Sequence, residues 1–382
     1  MTSKAQLSRP ATMERDRPDG PAIAAPPLAV ALRHMQFSMV DAFRRLQGDA
    51  LASLGFGPDE APYRLIASGA FWRLRDYGSG TETRPVLIVA APIKRPYIWD
   101  LTPDVSVVRR CLAAGLHVHL LEWLPASQKT CGVGMADCSE AIAAALQSIA
   151  AGAGNAGGAG HAKPVLAGHS LGGTLAGLHA ARAPSSIAGL VLLGSPLCFR
   201  ADENPFRDAL VTLVPAPVAD SDPYPGSVLS QMSAVASPHT FLWSRWMDAA
   251  LSQTDRHAMD IHARVERWAL DEVALPGKLV SEIIEWLYRE NRFGRGVLQL
   301  GEQTIGPGDL SVPTLAVVNT ADAVAPVDSV SPLGETLGPE QFTILSYPGE
   351  TGVALQHLGI LVGREAHAQA WPKIIDWIKA RH

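Results

Sequence analysis

Apolar residues in this chain fall into short continuous runs separated by segments with helical periodicity. Pro85-Val86-Leu87-Ile88-Val89-Ala90-Ala91-Pro92, His117-Val118-His119-Leu120-Leu121-Glu122-Trp123, Pro164-Val165-Leu166-Ala167 and Ala188-Gly189-Leu190-Val191-Leu192-Leu193 are four such runs. Each has the length of a strand and the unbroken apolarity of one buried on both faces. Between them, Ser106–Ala114 (ended at Gly115) and Asp137–Ala151 read as helices, and Ala151–Gly160 as a Gly-rich flexible loop. Strand alternating with helix predicts a doubly wound, mostly parallel α/β sheet. The later part of Tyr63–Tyr77 alternates and suggests an early strand.

Beyond Leu197 the alternation stops. Helical stretches at Thr240–Ala250 and Leu279–Glu290, several tryptophans and Pro-rich loops fill the chain until Pro313–Asn319 and Gln341–Tyr347 restore the strand pattern. The final helical region runs from Arg364 to Ala380, with a kink or restart at Pro372. The expected organisation is a disordered arm over 1–27, an N-terminal helical segment over 28–60, an α/β core over 61–199 and 310–382, and a mainly helical cap inserted at 200–309. Leu28, Leu32, Met35, Met39, Phe43 and Leu46 recur at threes and fours, so the N-terminal segment reads as an amphipathic helix packed on the main domain.

The connection after Pro164–Ala167 carries the chemistry. Gly168-His169-Ser170-Leu171-Gly172 fits G-x-S-x-G, in which a serine sits on a strained strand-to-helix turn and its neighbours two positions away must lack a Cβ. The backbone N–H of Leu171, at a helix N-terminus, is aimed at a developing oxyanion. A serine hydroxyl needs a base, and the base an orienting carboxylate; on this fold the chain order is Ser, acid, His. Asp322 follows the strand ending near Asn319, and His357 follows the strand ending near Tyr347. Asp328 is the alternative acid, and His367 a less suitable base because a helix carries it. The loop after the first apolar run supplies a second oxyanion N–H, from Ile93 or Lys94, with Ile93 the choice. Lys94 and Arg95 could also meet an anionic substrate group, and the cap tryptophans read as core.

Composition narrows the picture. A 47% hydrophobic fraction over 382 residues supports a large core, and a net charge of −5 without a basic run argues against nucleic-acid binding. The four cysteines, Cys111, Cys131, Cys138 and Cys198, lack C-x-x-C spacing, which fits reduced thiols in a cytoplasmic protein. No signal-like or membrane-spanning run is evident. Neither a metal site nor a cofactor fingerprint is expected.

The motifs also carry a resemblance. Arg95-Pro96-Tyr97-Ile98-Trp99-Asp100-Leu101, Ser106-Val107-Val108-Arg109, Gly168–Gly173, Arg267-Trp268, Leu275-Pro276-Gly277, Leu287-Tyr288-Arg289-Glu290-Asn291, Val324-Ala325-Pro326, His357-Leu358-Gly359-Ile360 and Ile375-Asp376-Trp377-Ile378 are similar to the polyhydroxyalkanoate synthase group of α/β-hydrolases. The resemblance covers about residues 60–382. It implies an α/β-hydrolase fold with Ser170, Asp322 and His357 as nucleophile, acid and base. It further implies (poly)3-hydroxyacyl esters or thioesters as substrates, a coenzyme A thioester among them, and allows a homodimer and a polymer-granule surface as partners. Two positions depart from the family: Ser170 stands where the synthases carry cysteine, and Ala323 where they carry histidine. Since a thiolate is the better acyl-exchange nucleophile, these departures favour an esterase or depolymerase-like hydrolase over a polymerising enzyme. A polymerase using serine is the alternative, and a non-catalytic granule-binding scaffold another.

Overall fold

The computed structural model describes residues 27–79, 83–154, 162–214 and 218–382. Of the expected arm over 1–27, residues 1–26 lie outside the described residues, as does most of the Gly-rich loop, and Pro27 already opens the first helix. One eight-stranded sheet organises the chain: β1 (Arg64–Ser68), β2 (Trp72–Asp76), β3 (Arg84–Val89), β4 (Leu116–Trp123), β5 (Val165–His169), β6 (Gly189–Leu193), β9 (Thr314–Asn319) and β10 (Phe342–Tyr347). Their order across the sheet is β1-β2-β4-β3-β5-β6-β9-β10. From β4 to β10 every pairing is parallel, while β1 and β2 form an antiparallel hairpin on the β4 edge. A separate ribbon joins β7 (Leu298–Leu300) to β8 (Gln303–Ile305). This is the α/β-hydrolase fold.

The continuous apolar runs are explained by two cores, one on each face. Leu87, Val89, Leu166, Leu190, Leu192, Ala316 and Val318 enter one cluster. Val86, Ile88, Val165, Ala167, Val191, Leu193, Leu315 and Val317 enter the other. Successive strand residues point to opposite faces, so a strand covered on both sides must be apolar throughout. Helices α2 (Val107–Ala113), α3 (Met135–Gly154) and α4 (Leu171–Arg182) complete the crossovers. Ser106 caps α2 by accepting the Arg109 N–H, and Gly115 at φ +80° stops the chain just beyond it. Helix α3 runs three residues further than expected, so its glycines at 152 and 154 are carried in its last turn.

Between β6 and β7 lie α5 (Pro205–Leu213), α6 (Gly226–Ala236), α7 (Ser244–Ser252), α8 (Arg256–Ala269) and α9 (Gly277–Glu282). They share a small core of Val214, Val218, Leu275, Val280 and Ile284. The cap tryptophans do not all join a core: Trp243 and Trp246 are 65% and 76% exposed.

Helix α1 (Pro27–Leu51) packs on α6 and α8, with its faces opposite to expectation. Met35, Met39, Phe43 and Leu46 are 57%, 67%, 60% and 66% exposed. The inward side is polar. Asp41 accepts the Ser227 N–H (3.1 Å), and Arg44 Nη2 donates to the Ala269 carbonyl (3.0 Å) and lies 2.9 Å from Glu272 Oε1. Periodicity locates a stripe; buried ion pairing decides which stripe faces in.

Candidate functional site

The strand-to-helix turn from β5 into α4 is strained at one residue, Ser170, which adopts φ 53°, ψ −131°. Such a backbone costs on the order of 1–3 kcal/mol and persists only where its surroundings enforce it. Here they do. The Ser170 N–H donates to the Leu193 carbonyl (3.1 Å), and its own carbonyl accepts the Thr174 N–H (3.0 Å). A Cβ on Gly172 would lie 2.3 Å from the Val89 carbonyl oxygen, and one on Gly168 would lie 2.5 Å from the Gly173 nitrogen. A Cβ on Gly173 would meet Ser195 Oγ at 1.9 Å; that hydroxyl is already spent on the Leu193 and Gly168 carbonyls. Each glycine is thus fixed by close backbone approach.

Asp322 and His357 meet at the C-terminal ends of β9 and β10. Asp322 Oδ2 lies 2.7 Å from His357 Nδ1, and Oδ1 accepts the N–H groups of Val324 (2.8 Å) and Ala325 (3.1 Å). Burial by itself would raise the Asp322 carboxyl. The His357 ring and the two backbone donors outweigh it and hold the group below the usual carboxylate range. Gly194, at φ +50°, passes beneath the pair; a Cβ there would stand 3.3 Å from Asp322 Oδ2. Asp328 is exposed in a turn. His367 is buried elsewhere, bonded to the Leu361 carbonyl (2.8 Å) and approached by Arg110 Nε (3.0 Å).

The other nitrogen of His357, Nε2, is buried with no hydrogen-bond partner. His357 lines a cavity of about 390 Å³ together with Ser170, Leu171 and Ile93, and no hydrogen bond joins its Nε2 to Ser170. The structure therefore brings Ser170, Asp322, His357, Leu171 and Ile93 to one place. Elsewhere the cavity wall is mostly apolar, with Phe199, Leu229, Leu275 and Tyr288 among its residues. One exception is a buried ionic group: Lys94 Nζ lies 2.9 Å from Glu272 Oε2 and donates to the Ala269 carbonyl. Burial lowers the Lys94 pKa against the pull of Glu272. So committed, Lys94 is a strut between the loop and the cap, not a free anion site. Arg95 stands at the limit of ion pairing with Asp271, 4.0 Å away.

Two supporting residues escaped sequence reasoning. His169 lies inside the pentapeptide, and its ring packs 4.5 Å from that of His357 while its Nε2 bonds the His357 carbonyl (2.8 Å). Burial, reinforced by His357, pushes His169 down to about 3, so it stays neutral as a wall for its neighbour. Asp248, on α7, accepts the N–H groups of Gly352 (Oδ1, 2.8 Å) and Ala354 (Oδ2, 2.8 Å), in the loop leading to His357. Ala354 is itself strained at φ +59°. His262 Nδ1 completes the arrangement, 2.9 Å from Asp248 Oδ2. Nothing local in the sequence signals a contact spanning 104 residues.

All four cysteines are unpaired. Burial pushes the Cys111 and Cys198 thiols up to about 12, and Cys138 higher still, leaving no activated thiolate among these three. No helix among the described residues is long and apolar enough to cross a membrane.

Comparisons with known proteins agree with this fold. Residues 159–345 match the alpha/beta hydrolase fold family. The chain is 26% identical over 335 residues to a poly(3-hydroxyalkanoate) polymerase subunit PhaC of Haloferax mediterranei, covering 86% of this chain and 65% of that one. It is 23% identical to the PhaC subunit of Thiocystis violacea, over 88% of this chain and 92% of the relative. The chain thus spans slightly less than two thirds of the haloarchaeal protein and nearly all of the Thiocystis one. Among solved structures, an esterase from Exiguobacterium antarcticum superposes with a TM-score of 0.52 at 14% identity, covering 85% of this chain and 99% of that one, a likeness of fold. The chain thus has the α/β-hydrolase fold, and its sequence is similar to the polyhydroxyalkanoate synthases.

Proposed function

We propose that the chain catalyses acyl transfer through a Ser170 acyl-enzyme, with hydrolysis of 3-hydroxyacyl esters, oligomers or thioesters as its main outcome. The observation that carries this reading is the unpartnered, buried Nε2 of His357, a residue that lines the same cavity as Ser170. A buried ring nitrogen without a partner costs stability, so its retention is understandable where a substrate-bound step uses it. His357 Nε2 takes the Ser170 proton as Oγ attacks the acyl carbonyl, while Asp322 holds the ring through Nδ1 and stabilises the imidazolium. The N–H groups of Leu171 and Ile93 receive the oxyanion. Collapse breaks the acyl–oxygen or acyl–sulfur bond, and the leaving alkoxide or thiolate takes the proton back from His357. Water, deprotonated by the same nitrogen, then attacks the Ser170 ester and releases the 3-hydroxy acid.

The second reading is polymerisation, favoured by the names of the relatives, in which the hydroxyl of a growing chain replaces water in the last step. Serine at the elbow weighs against it, because a serine ester exchanges with thiols more slowly than a thioester does. The test has two stages. Intact mass after treatment with a fluorophosphonate should show a single adduct on the wild type and none on Ser170→Ala; no adduct on folded wild type would overturn the reading. Incubation with 3-hydroxybutyryl-coenzyme A should then release coenzyme A and free acid in equal amounts. Coenzyme A released in excess of free acid, with an ester product of growing mass, would establish the polymerase instead. In the hydrolytic case, Ser170→Cys should slow ester hydrolysis and raise thioester exchange.

A further inference from the structure

Strand β4 opens with Leu116-His117-Val118-His119, and the two-residue period of a strand sends both imidazoles to one face. Its antiparallel neighbour β2 ends at Asp76, which pairs directly with His119 across the ladder. The carboxylate is therefore delivered to the same spot. His117 Nε2 lies 2.7 Å and His119 Nε2 3.8 Å from a single oxygen, Asp76 Oδ1. The ligand atoms of all three residues fall within 4.8 Å of one another, and the two rings stack with centroids 4.3 Å apart.

This is more than Asp76 needs. Its Oδ2 is paired with Arg64 Nη2 (2.6 Å), and Oδ1 already has the Gly78 N–H (2.9 Å) besides His117. A second imidazole is brought to a carboxylate that is already satisfied, and His119 Nδ1 is left buried without a partner. Gly78 adds a steric sign: a Cβ there would lie 2.2 Å from His117 Nε2, so the space before that nitrogen must be free of a side chain. Two imidazoles and a carboxylate are a donor set for borderline divalent metals. Tetrahedral zinc, with bonds of about 2.0–2.2 Å, would hold its donors roughly 3.3–3.6 Å apart, between the 2.7 and 3.8 Å seen from Asp76 Oδ1. His117 keeps 19% of its side chain exposed, leaving a route for the ion and a water in the fourth position.

The geometry points to a zinc-class divalent metal site formed by Asp76, His117 and His119. Binding exchanges the proton shared by His117 and Asp76 for the ion and ties the β1–β2 hairpin to the parallel sheet. In register, His119 aligns with Leu87 of β3, which pairs with Leu166 of β5, four positions before Ser170. The site is therefore apart from the cavity, and its role is to fasten the sheet edge, independent of the acyl chemistry.

The test uses the untagged full chain, stripped with a chelator and supplied with zinc. Metal analysis after gel filtration should find stoichiometric zinc on the wild type. Competition against a chromophoric chelator should show affinity weakened at least ~10-fold in His117→Gln. Zinc should raise the melting temperature of the wild type and leave that of His117→Gln unmoved. Absence of stoichiometric zinc on the wild type, or equal affinity in a folded variant, overturns the site. Should His117→Gln fail to fold, cobalt on the wild type decides: an intense visible band of four-coordinate nitrogen and oxygen ligation supports it, and a weak hexaaqua-like spectrum overturns it.

Discussion

Two aspartate–histidine pairs in this molecule are built from the same kinds of partner, though the donors are shared out differently between the carboxylate oxygens. Asp322 binds His357 Nδ1 at 2.7 Å and two backbone N–H groups; Asp248 binds His262 Nδ1 at 2.9 Å and two backbone N–H groups. Both carboxyls are held below their usual range: burial would raise each, and the histidine with the backbone donors outweighs it. What differs is the far ring nitrogen. That of His357 is unpartnered beside the cavity, whereas that of His262 lies 3.8 Å from Glu266 Oε1 on the next turn of its own helix. A carboxylate-oriented imidazole is common structural hardware. It becomes a base only where the second nitrogen is kept for something that arrives later.

The comparison can be broken most sharply at the histidines. Replacing His357 by Gln should lower ester turnover by on the order of 1,000,000-fold, the scale for losing the base of a serine triad. His262→Gln should cost less than about tenfold, measured as kcat on a p-nitrophenyl ester. Next in size is Asp322→Asn, which keeps the shape and presents the wrong hydrogen-bonding partner to Nδ1; kcat should fall roughly 10,000-fold with the fold intact by circular dichroism. Asp248→Asn should lower kcat by about 10–100-fold through a displaced His357 loop, with the rate of fluorophosphonate labelling falling in step. It should also cost about 2–4 kcal/mol in urea unfolding, because Asn must turn a donor toward one of the N–H groups.

The smallest effect is in pH dependence. A carboxyl with a depressed folded-state pKa contributes stability that is complete above its unfolded value, about 3.9, and lost as pH falls through the folded value. Both aspartates behave this way. Urea midpoints should therefore drop as the pH is taken below about 5, and Asp248→Asn should show a shallower acid loss than the wild type.

The parts legible from sequence are those whose constraint is local. Gly168, Gly172 and Gly173 are imposed by backbone contacts within or beside one turn, and each buried strand announces itself by apolarity on both faces. Asp322 and His357 were singled out because each follows its strand in a fixed chain order, and the structure pairs them at 2.7 Å. Ile93 was placed by that same logic, and it does line the cavity. Helix α1 misled because a stripe every third or fourth residue says nothing of which side is buried; Asp41 and Arg44 decided that through Ser227, Glu272 and Ala269. The His117–His119 pair carried a visible period of two, but its carboxylate comes from another strand, 41 residues earlier. Asp248 had no local signature at all.

That last residue makes the cap and the catalytic loop mechanically dependent. Because Asp248 grips the Gly352 and Ala354 N–H groups from α7, a cap that swings away must either release them or drag the strained backbone at Ala354 with it. The two bonds act as a tie-rod: under the proposed function, the seat of α7 sets the placement of His357, so a disturbance in the cap is transmitted to a loop 104 residues away.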